Sequence, residues 1–560
     1  MTAPIWSSRG VRIEIVTPLL DGGPNDTVKV TTSDGDPHAI DLAAPPGSSP
    51  QALGVRLRVS GARAYLRNGY QSWDGCYFVA AGTPAGEVPP AKAPTLGFAM
   101  TALLPAGANG EGGAVVLGFN RHDRFQTRFR FSGTADTLLI DVETLLDGTG
   151  ETRAETLYLF DGDLVEPALR RWSARVAAAA PLPPRLPAKR LTGWCSWYNL
   201  YAAIDEASIR EHLDAARAFR DAHRIPLDIF QIDDGFTPEM GDWLDIKPQF
   251  PDGIAPLLAD AAAAGFAPGL WIAPFLVGNR SKLAAAHPDW LVGDRQTGEP
   301  LVAFHFYGEF RWHKRSEEYH VLDVTHPDAA AYLHHVLRTW THDWGARYIK
   351  ADFLYHGAEY GPERAQWREP GLSRIAVWRR GMALIRDAIG PDTILSGCGC
   401  PLWAGAGLVD AVRIGRDIGV EWHGEYSAES LLRDLQTRNH AHGVLWQADP
   451  DCILLRDHFH SLSDEEVAFL ARFAAGAGGV LMTSDHLGEL PPARAALFAN
   501  LLREGATACD FPLLGQDGGL VVQRRRAGDV AIGATKFNPN DAAVAALDGG
   551  TLAPRGVRDA

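Results

Sequence analysis

From about residue 190 onward, short apolar runs alternate with longer amphipathic stretches. Eight runs read as strands: "LTGWCSW", "LDIFQIDD", "APGLWIAPF", "YIKADF", "TILSGCG", "VDAVRIG", "GVLWQAD" and "GVLMTSD". Between most of them lie segments with apolar residues at helical spacing, such as "DEASIREHLDAARAFRDAHR", "APLLADAAAAG", "PDAAAYLHHVLRTWTHDWG" and "SDEEVAFLARFAAGA". Strand and helix in alternation predict a parallel sheet, and the eightfold count predicts closure into a (β/α)8 TIM barrel rather than a doubly wound open sheet. The first 180 residues have another texture. "GVRLRVSGARAYL", "AVVLGFNRHDRFQTRFRFSG", "TLLIDVETLL" and "AETLYLFDG" alternate apolar with polar positions between turn residues. That predicts an N-terminal antiparallel β-sandwich. The proline-rich stretch "AAAAPLPPRLPAKR", Ala177 to Arg190, suits neither helix interior nor central strand and reads as a linker. Near the end, "GGLVVQRRR" and "VAIGATKF" predict a small C-terminal antiparallel sheet. The expected division is a sandwich over 1–180, a linker over 181–190, a catalytic barrel over 191–505 and a C-terminal β domain over 506–560.

Charge and composition remove some classes of function. The chain has 560 residues, is 46% hydrophobic, and carries a formal net charge of −15 without a basic stripe. This argues against nucleic acid and anionic membranes as partners. The opening "MTAPIWSSRGVRIEIVTPLLDGG" lacks a basic segment followed by an apolar run, so a cytoplasmic location is expected. No run reaches the ~18 apolar residues of a membrane span. The cysteines are Cys76, Cys195, Cys398, Cys400, Cys452 and Cys509. Their one close pair, Cys398 and Cys400, has no second pair at zinc-site spacing, which favours reduced thiols.

Chemistry concentrates where strands end. In "RYIKADFLYHG", Lys350 and Asp352 are two residues apart, hence on one face of a strand. Buried there, both charges must be paired or used. Asp233 and Asp234 end the second strand and Asp417 follows the sixth, so acids from different strands converge on the end where barrel enzymes keep their active sites. Gly235 allows the chain to turn both neighbouring carboxylates inward. Adjacent carboxylates suit either the hydroxyls of a sugar or a divalent cation, for which His356 or His458 could add a ligand. Trp194, Trp197, Trp243 and Trp271 lie near the same strand ends, and indole faces suit pyranose rings.

The segments "NGYQSW", "TGWCSWYNLY", "FQIDDGF", "GDWL", "PGLWIAPF", "HPDWLV", "YIKADF", "GCGCPL", "GLVDAVRIGRD" and "DPDCILLRD" resemble glycoside hydrolase family 36, the α-galactosidases, in order from Asn68 to Asp457. The resemblance implies sandwich, barrel and C-terminal sheet, a retaining mechanism, a small-molecule α-galactoside as substrate, and no metal or other cofactor. It implies Asp352 as nucleophile and Asp417 as acid/base. Asp233, Asp234, Lys350, Arg413, Trp197, Trp271, Cys398 and Trp73 would bind the sugar, with Trp73 lent by the sandwich. On this reading Lys350 keeps Asp352 ionised, Arg413 points at the sugar, and nearby Asp352 keeps a proton on Asp417. The expected activity is hydrolysis of terminal α-galactosides of the melibiose and raffinose type. The alternatives are an α-N-acetylgalactosaminidase, an α-galactosyl transglycosidase and, from another class, a non-catalytic galactose-binding protein. The aromatic stretch "FHFYGEFRW", Phe304 to Trp312, is longer than the resemblance implies.

Overall fold

A computed structural model of the chain describes residues 5–84, 95–107, 113–305, 316–424, 426–505, 507–528 and 530–560. Of the aromatic stretch singled out above, only Phe304 and His305 fall within these residues.

The alternating N-terminal residues form two antiparallel sheets of seven strands each. Along Ala52–Ser60, Val55, Leu57 and Val59 are buried while Arg58 faces out. They share an apolar core with Val115 and Leu117 of Ala114–Phe119, in the other sheet. Period-two alternation thus supplies the inner faces of the sandwich.

The sequence pattern missed one element here. Val165–Ala179 is an α-helix, not strand, and it takes in the first residues of the proline-rich stretch. Val165, Ala168, Leu169, Trp172 and Val176 recur at helical spacing and are all buried. Trp172 donates its Nε1–H to the Phe119 carbonyl (2.8 Å) and meets the Trp403 ring edge-on at 4.6 Å. The helix therefore lies between a sandwich sheet and the parallel unit that follows. Ala180 is extended, as the residue before Pro181 must nearly be, and this ends the helix.

The parallel unit contains β1 (Thr192–Cys195), β2 (Ile229–Ile232), β3 (Ala267–Ile272), β4 (Tyr348–Ala351), β5 (Ile394–Gly397), β6 (Ala411–Arg413), β7 (Gln447–Asp449), β8 (Cys452–Ile453) and β9 (Leu481–Thr483). Their order is β7-β6-β5-β4-β3-β2-β1-β9-β8, with every pairing parallel. Each strand run read from the sequence coincides with one of these. The two ends of the order, β7 and β8, are consecutive in the chain, with only Pro450 and Asp451 between them. Almost all strand residues are buried, as continuous apolar runs require when helices cover a sheet. Helices follow most strands, for example Glu206–His223 after β1 and Arg374–Ile389 after β4; between β5 and β6 there is only a 3-10 turn, Trp403–Gly405. The caps are local: Asp205 accepts from Ser208 N (2.7 Å), and Ser463 with Glu466 forms a capping box.

The chain ends in an antiparallel sheet of Ala508–Asp510, Val521–Ala527, Val530–Phe537 and Val557–Asp559, beside a two-stranded ribbon. The molecule is thus multidomain, a parallel sheet flanked by antiparallel ones. Among the described residues no helix is long and apolar enough to cross a membrane.

Candidate active site

Because the strands are parallel, their C-terminal ends share one side of the sheet, and the acids gather there. Register does the rest. Trp271 on β3 pairs with Lys350 on β4, so these two side chains and Asp352, two residues beyond Lys350, face the same way. The Trp271 Nε1–H donates to Asp352 Oδ2 (3.0 Å), and the Phe353 amide donates to Oδ1 (2.8 Å). Asp352 and Cys398 are buried together, the thiol hydrogen-bonding to the carboxylate. Burial raises the Asp352 carboxyl above its ordinary value; Lys350 opposes this, the charge of Asp417 adds to it, and the donors Trp271 and Cys398 oppose it.

Lys350 favours the ionised form of Asp352 as expected, but it has a closer partner. Its Nζ lies 2.9 Å from Asp233 Oδ2 but 3.9 Å from Asp352 Oδ2. The firm ion pair is with Asp233 on the neighbouring strand end, and Asp352 is its second neighbour. Burial works against the lysine's charge, but Asp233 and Asp352 outweigh it and raise Lys350 well above its usual range. Asp233 also accepts from Gln231 Nε2 (2.6 Å) and Cys195 Sγ (3.4 Å), and its own amide donates to Ser196 Oγ (2.8 Å). The Asp234 amide donates to Asp233 Oδ1 (2.9 Å). Gly235 does enable this turn: its φ is +129°, and a Cβ there would come within 2.7 Å of Ala202 Cα.

Arg413 corrects an expectation. Instead of pointing freely into the site, it donates from Nη1 to Asp417 (3.0 Å) and from Nη2 to Asp451 (2.7 Å), with Nε 3.9 Å from Asp449. Asp417 is the open member, with 42% of its side chain exposed. Arg416 lies over the Tyr426 ring, 5.4 Å from its centroid.

Trp73 reaches this place from the sandwich. It sits in the hairpin loop between Ala62–Asn68 and Cys76–Ala80, strands that pair directly. Gly69 makes the loop possible, since a Cβ there would fall 1.3 Å from the Asp74 carbonyl oxygen. The Trp73 ring meets Phe353 at 5.1 Å and Tyr355 at 6.0 Å, and lies against Gly399. Among the described residues its buried Nε1–H has no acceptor. Arg438 clamps the loop, donating to the carbonyls of Ser72 (2.9 Å), Gln71 (3.2 Å) and Asp74 (3.4 Å) as well as Ile414 (2.6 Å).

The other tryptophans divide. Trp197 is half-buried in the short helix Trp197–Leu200 after β1, edge-on to Tyr201 (5.5 Å). Trp194 stacks on Phe230 in the interior, and Trp243 backs Trp271 at 6.0 Å; both are fully buried. The histidines considered as metal ligands are paired elsewhere, His356 with Glu359 and His458 with Asp457, both at 3.0 Å. Phe304 stacks on Phe353 at 5.7 Å.

Sequence reasoning missed Asp451. It lies in the quoted "DPDCILLRD", yet nothing in that segment alone says that its carboxylate turns inward. The signal available was a proline and two acids interrupting an otherwise strand-like region.

A family model described as melibiase matches residues 195–371. Structure agrees over a far longer stretch. TtGalA, the α-galactosidase of Thermus thermophilus, solved in complex with p-nitrophenyl α-D-galactopyranoside, superposes with a TM-score of 0.66 at 25% identity, over 89% of this chain and 96% of that one. The chain is similar to α-galactosidases in sequence and in fold. The probable α-galactosidase C of Aspergillus flavus is 24% identical over 223 residues, 36% of this chain and 26% of that protein. α-Galactosidase 2 of Pediococcus pentosaceus is 30% identical over 104 residues, 17% of this chain and 14% of that protein. These alignments span about a quarter or less of the curated relatives' length. The family 36 α-galactosidase AgaA of Geobacillus stearothermophilus, at 12% identity and TM-score 0.59, shares the fold over 94% of this chain and 79% of its own.

Proposed function

We propose that this protein is a retaining α-galactosidase that removes terminal α-D-galactosyl residues from galacto-oligosaccharides. The observation that carries it is the pairing of roles at one sheet end. Asp352, buried and held by the Trp271 N–H, feels the charge of Asp417, which is open to solvent. A nucleophile must be fixed and shielded, whereas an acid/base must exchange protons with water. The relatives support the substrate class, since TtGalA was also solved in complex with stachyose.

In the first step the Asp352 carboxylate attacks the anomeric carbon. An ester bond forms, the glycosidic C–O bond breaks, and the proton of Asp417 passes to the leaving oxygen. Water then enters, gives its proton back to Asp417 and displaces Asp352, so the α-configuration is regained. Asp233, Asp234, Lys350 and Trp73 supply acceptors and donors for the hydroxyls, Trp271, Trp197 and Cys398 the walls, and Arg413 the link to the acid/base. Neither step calls for a metal or cofactor.

The architecture inferred for this chemistry is a closed (β/α)8 barrel. Support comes from the return of the strand order onto itself, with β7 and β8 as two halves of one stave broken at Pro450 and Asp451. The division 1–180, 191–505 and 506–560, joined by 181–190, follows the change of sheet along the chain, with Val165–Ala179 as the helical end of the first part.

The test is an aryl α-galactoside followed by melibiose and raffinose, with proton NMR of the first-formed galactose. The α-anomer should appear before mutarotation, and Asp352→Asn should leave less than a few per cent of kcat with an unchanged melting profile. A β-anomer product, or an active Asp352→Asn protein, would sink the assignment.

A further inference from the structure

Within the interior near the site, one carboxylate has no part in the chemistry above and yet is held by four donors. Asp451 lies between β7 and β8, immediately after Pro450. Its φ is +83°, in the left-handed half of the map that a non-glycine residue enters only when its surroundings insist. The turn aims the side chain inward, where it is fully buried. Oδ1 accepts from Arg413 Nη2 (2.7 Å) and from its neighbour's amide, Cys452 N (2.7 Å). Oδ2 accepts from Ile418 N (2.9 Å) and from the Tyr198 hydroxyl. Two of these four donors belong to the acid/base apparatus. Arg413 is the guanidinium that holds Asp417, and Ile418 is the residue next to Asp417.

The geometry points to Asp451, with Tyr198, as a positioning pair for the acid/base: it fixes the backbone behind Asp417 and supplies a second counter-charge, so that Arg413 is shared and not committed to Asp417 alone. The inference rests on the α-galactosidase reading. Its physical basis is competition for one cation. Arg413 faces Asp451, Asp417 and Asp449. An arginine with a single anionic neighbour favours that neighbour's ionised form; shared with a fully buried carboxylate, it favours it less. An acid that must give its proton to a leaving oxygen needs the second situation.

Every charged or titratable neighbour bears on this. From β6 come Arg413 and, beyond it, Arg416. From β7 comes Asp449, from the β7–β8 break Asp451, and from β8 Cys452. Asp352 follows β4, Cys398 follows β5 and Tyr198 follows β1; each of these three feels the charge of Asp417. Burial raises the Asp451 carboxyl, while Arg413 and the Tyr198 hydroxyl pull it back down. Burial also raises the Tyr198 phenol well above its usual range, which keeps it a donor. Removing the hydroxyl should therefore weaken the Asp451 carboxylate and reproduce part of the loss of the charge itself.

The experiment is the pH dependence of kcat/KM for full-length wild type, Asp451→Asn and Tyr198→Phe, on p-nitrophenyl α-galactoside and on melibiose. For Asp451→Asn the alkaline limb on melibiose should move down by roughly one pH unit. At pH 7.5 melibiose should lose on the order of 10²-fold and the aryl substrate less than about tenfold, because only the poor leaving group depends on protonation. Tyr198→Phe should shift the limb the same way, by roughly half as much. A merely structural role would lower both substrates equally and leave the limb in place, and that result would overturn the inference. Should Asp451→Asn fail to fold, Tyr198→Phe decides alone, an unmoved limb being fatal. Wild type inert on every α-galactoside would instead refute the activity, and this inference with it.

Discussion

Replacing Trp271 by phenylalanine asks what keeps the proposed nucleophile charged. The substitution retains most of a buried ring that meets Trp243 and Phe353 edge-on at 6.0 and 6.5 Å, and deletes one group, the N–H that donates to Asp352 at 3.0 Å. A hydrogen bond to a charged group is worth roughly 1.5–3 kcal/mol. At about 1.4 kcal/mol per unit, its loss should raise the Asp352 carboxyl by roughly one to two units. The sign follows from the bond being made to the ionised form: without it the folded protein binds the proton more tightly. The acid limb of kcat/KM for p-nitrophenyl α-galactoside, which reports the free enzyme's base, should therefore move to higher pH by about that amount. Stability should move consistently. A carboxyl raised in the folded state contributes stability that is complete below its unfolded value and lost as pH rises through the folded one. Trp271→Phe should thus melt closer to wild type at pH 4 than at pH 7. Lys350 is no substitute donor, since its Nζ is 3.9 Å from Asp352 and committed at 2.9 Å to Asp233. An acid limb that stays in place, or moves down, would show that the indole N–H does not set the charge of Asp352.

Arg438→Met should loosen the sandwich loop by removing a cation that donates to four carbonyls, at a cost of about 3 kcal/mol, or roughly a hundredfold in docking. Since the loop carries Trp73, KM for α-galactosides should rise in step with Trp73→Ala, and an unchanged KM in either variant would disprove the link. Glu166 joins the Val165–Ala179 helix to Asn439 and to the amide of Phe511, and burial pushes its carboxyl up to about 7. Its contribution is complete below the unfolded value near 4.5 and lost as pH rises through about 7, so wild type should lose melting temperature between pH 5 and 8 while Glu166→Gln loses less; parallel curves would refute this.

Much of the fold was legible because the hydrophobic period is a local property. Each strand run read from the sequence became a strand of the parallel sheet, and the alternating N-terminal segments became the sandwich. The helix Val165–Ala179 escaped, although its apolar residues recur at helical spacing, because it runs into a proline-rich stretch that reads as linker. What fixes it is tertiary: the Trp172 ring wedged between Phe119 and Trp403. The loop Asn68–Gly75 was read as reaching the site only through a resemblance. Its physical reason, the Arg438 clamp and the glycine at 69, is distributed over residues far apart in sequence.

The candidate acids were legible as a set, and their partners were not. Spacing of two along a strand says that Lys350 and Asp352 share a face; it is silent on the neighbouring strand, where Asp233 sits a full ångström closer to the lysine. The same gap hid Asp451, whose claim on Arg413 depends on a chain break between strands. Taken together these pairings impose a charge balance that no motif displays. Among the described ion pairs here, Lys350 meets Asp233 and Asp352, and Arg413 meets Asp417, Asp449 and Asp451, five carboxylates to two cations. They cannot neutralise all five, and uncompensated like charges in a buried site are costly. Two kinds of group relieve the excess, a proton retained by one acid and hydrogen-bond donors brought in from outside. The first is what a general acid requires, and the second is what a ligand dense in hydroxyl groups provides. The site's excess of negative charge thus favours both the chemistry and a sugar as its object, before any individual residue is assigned a role.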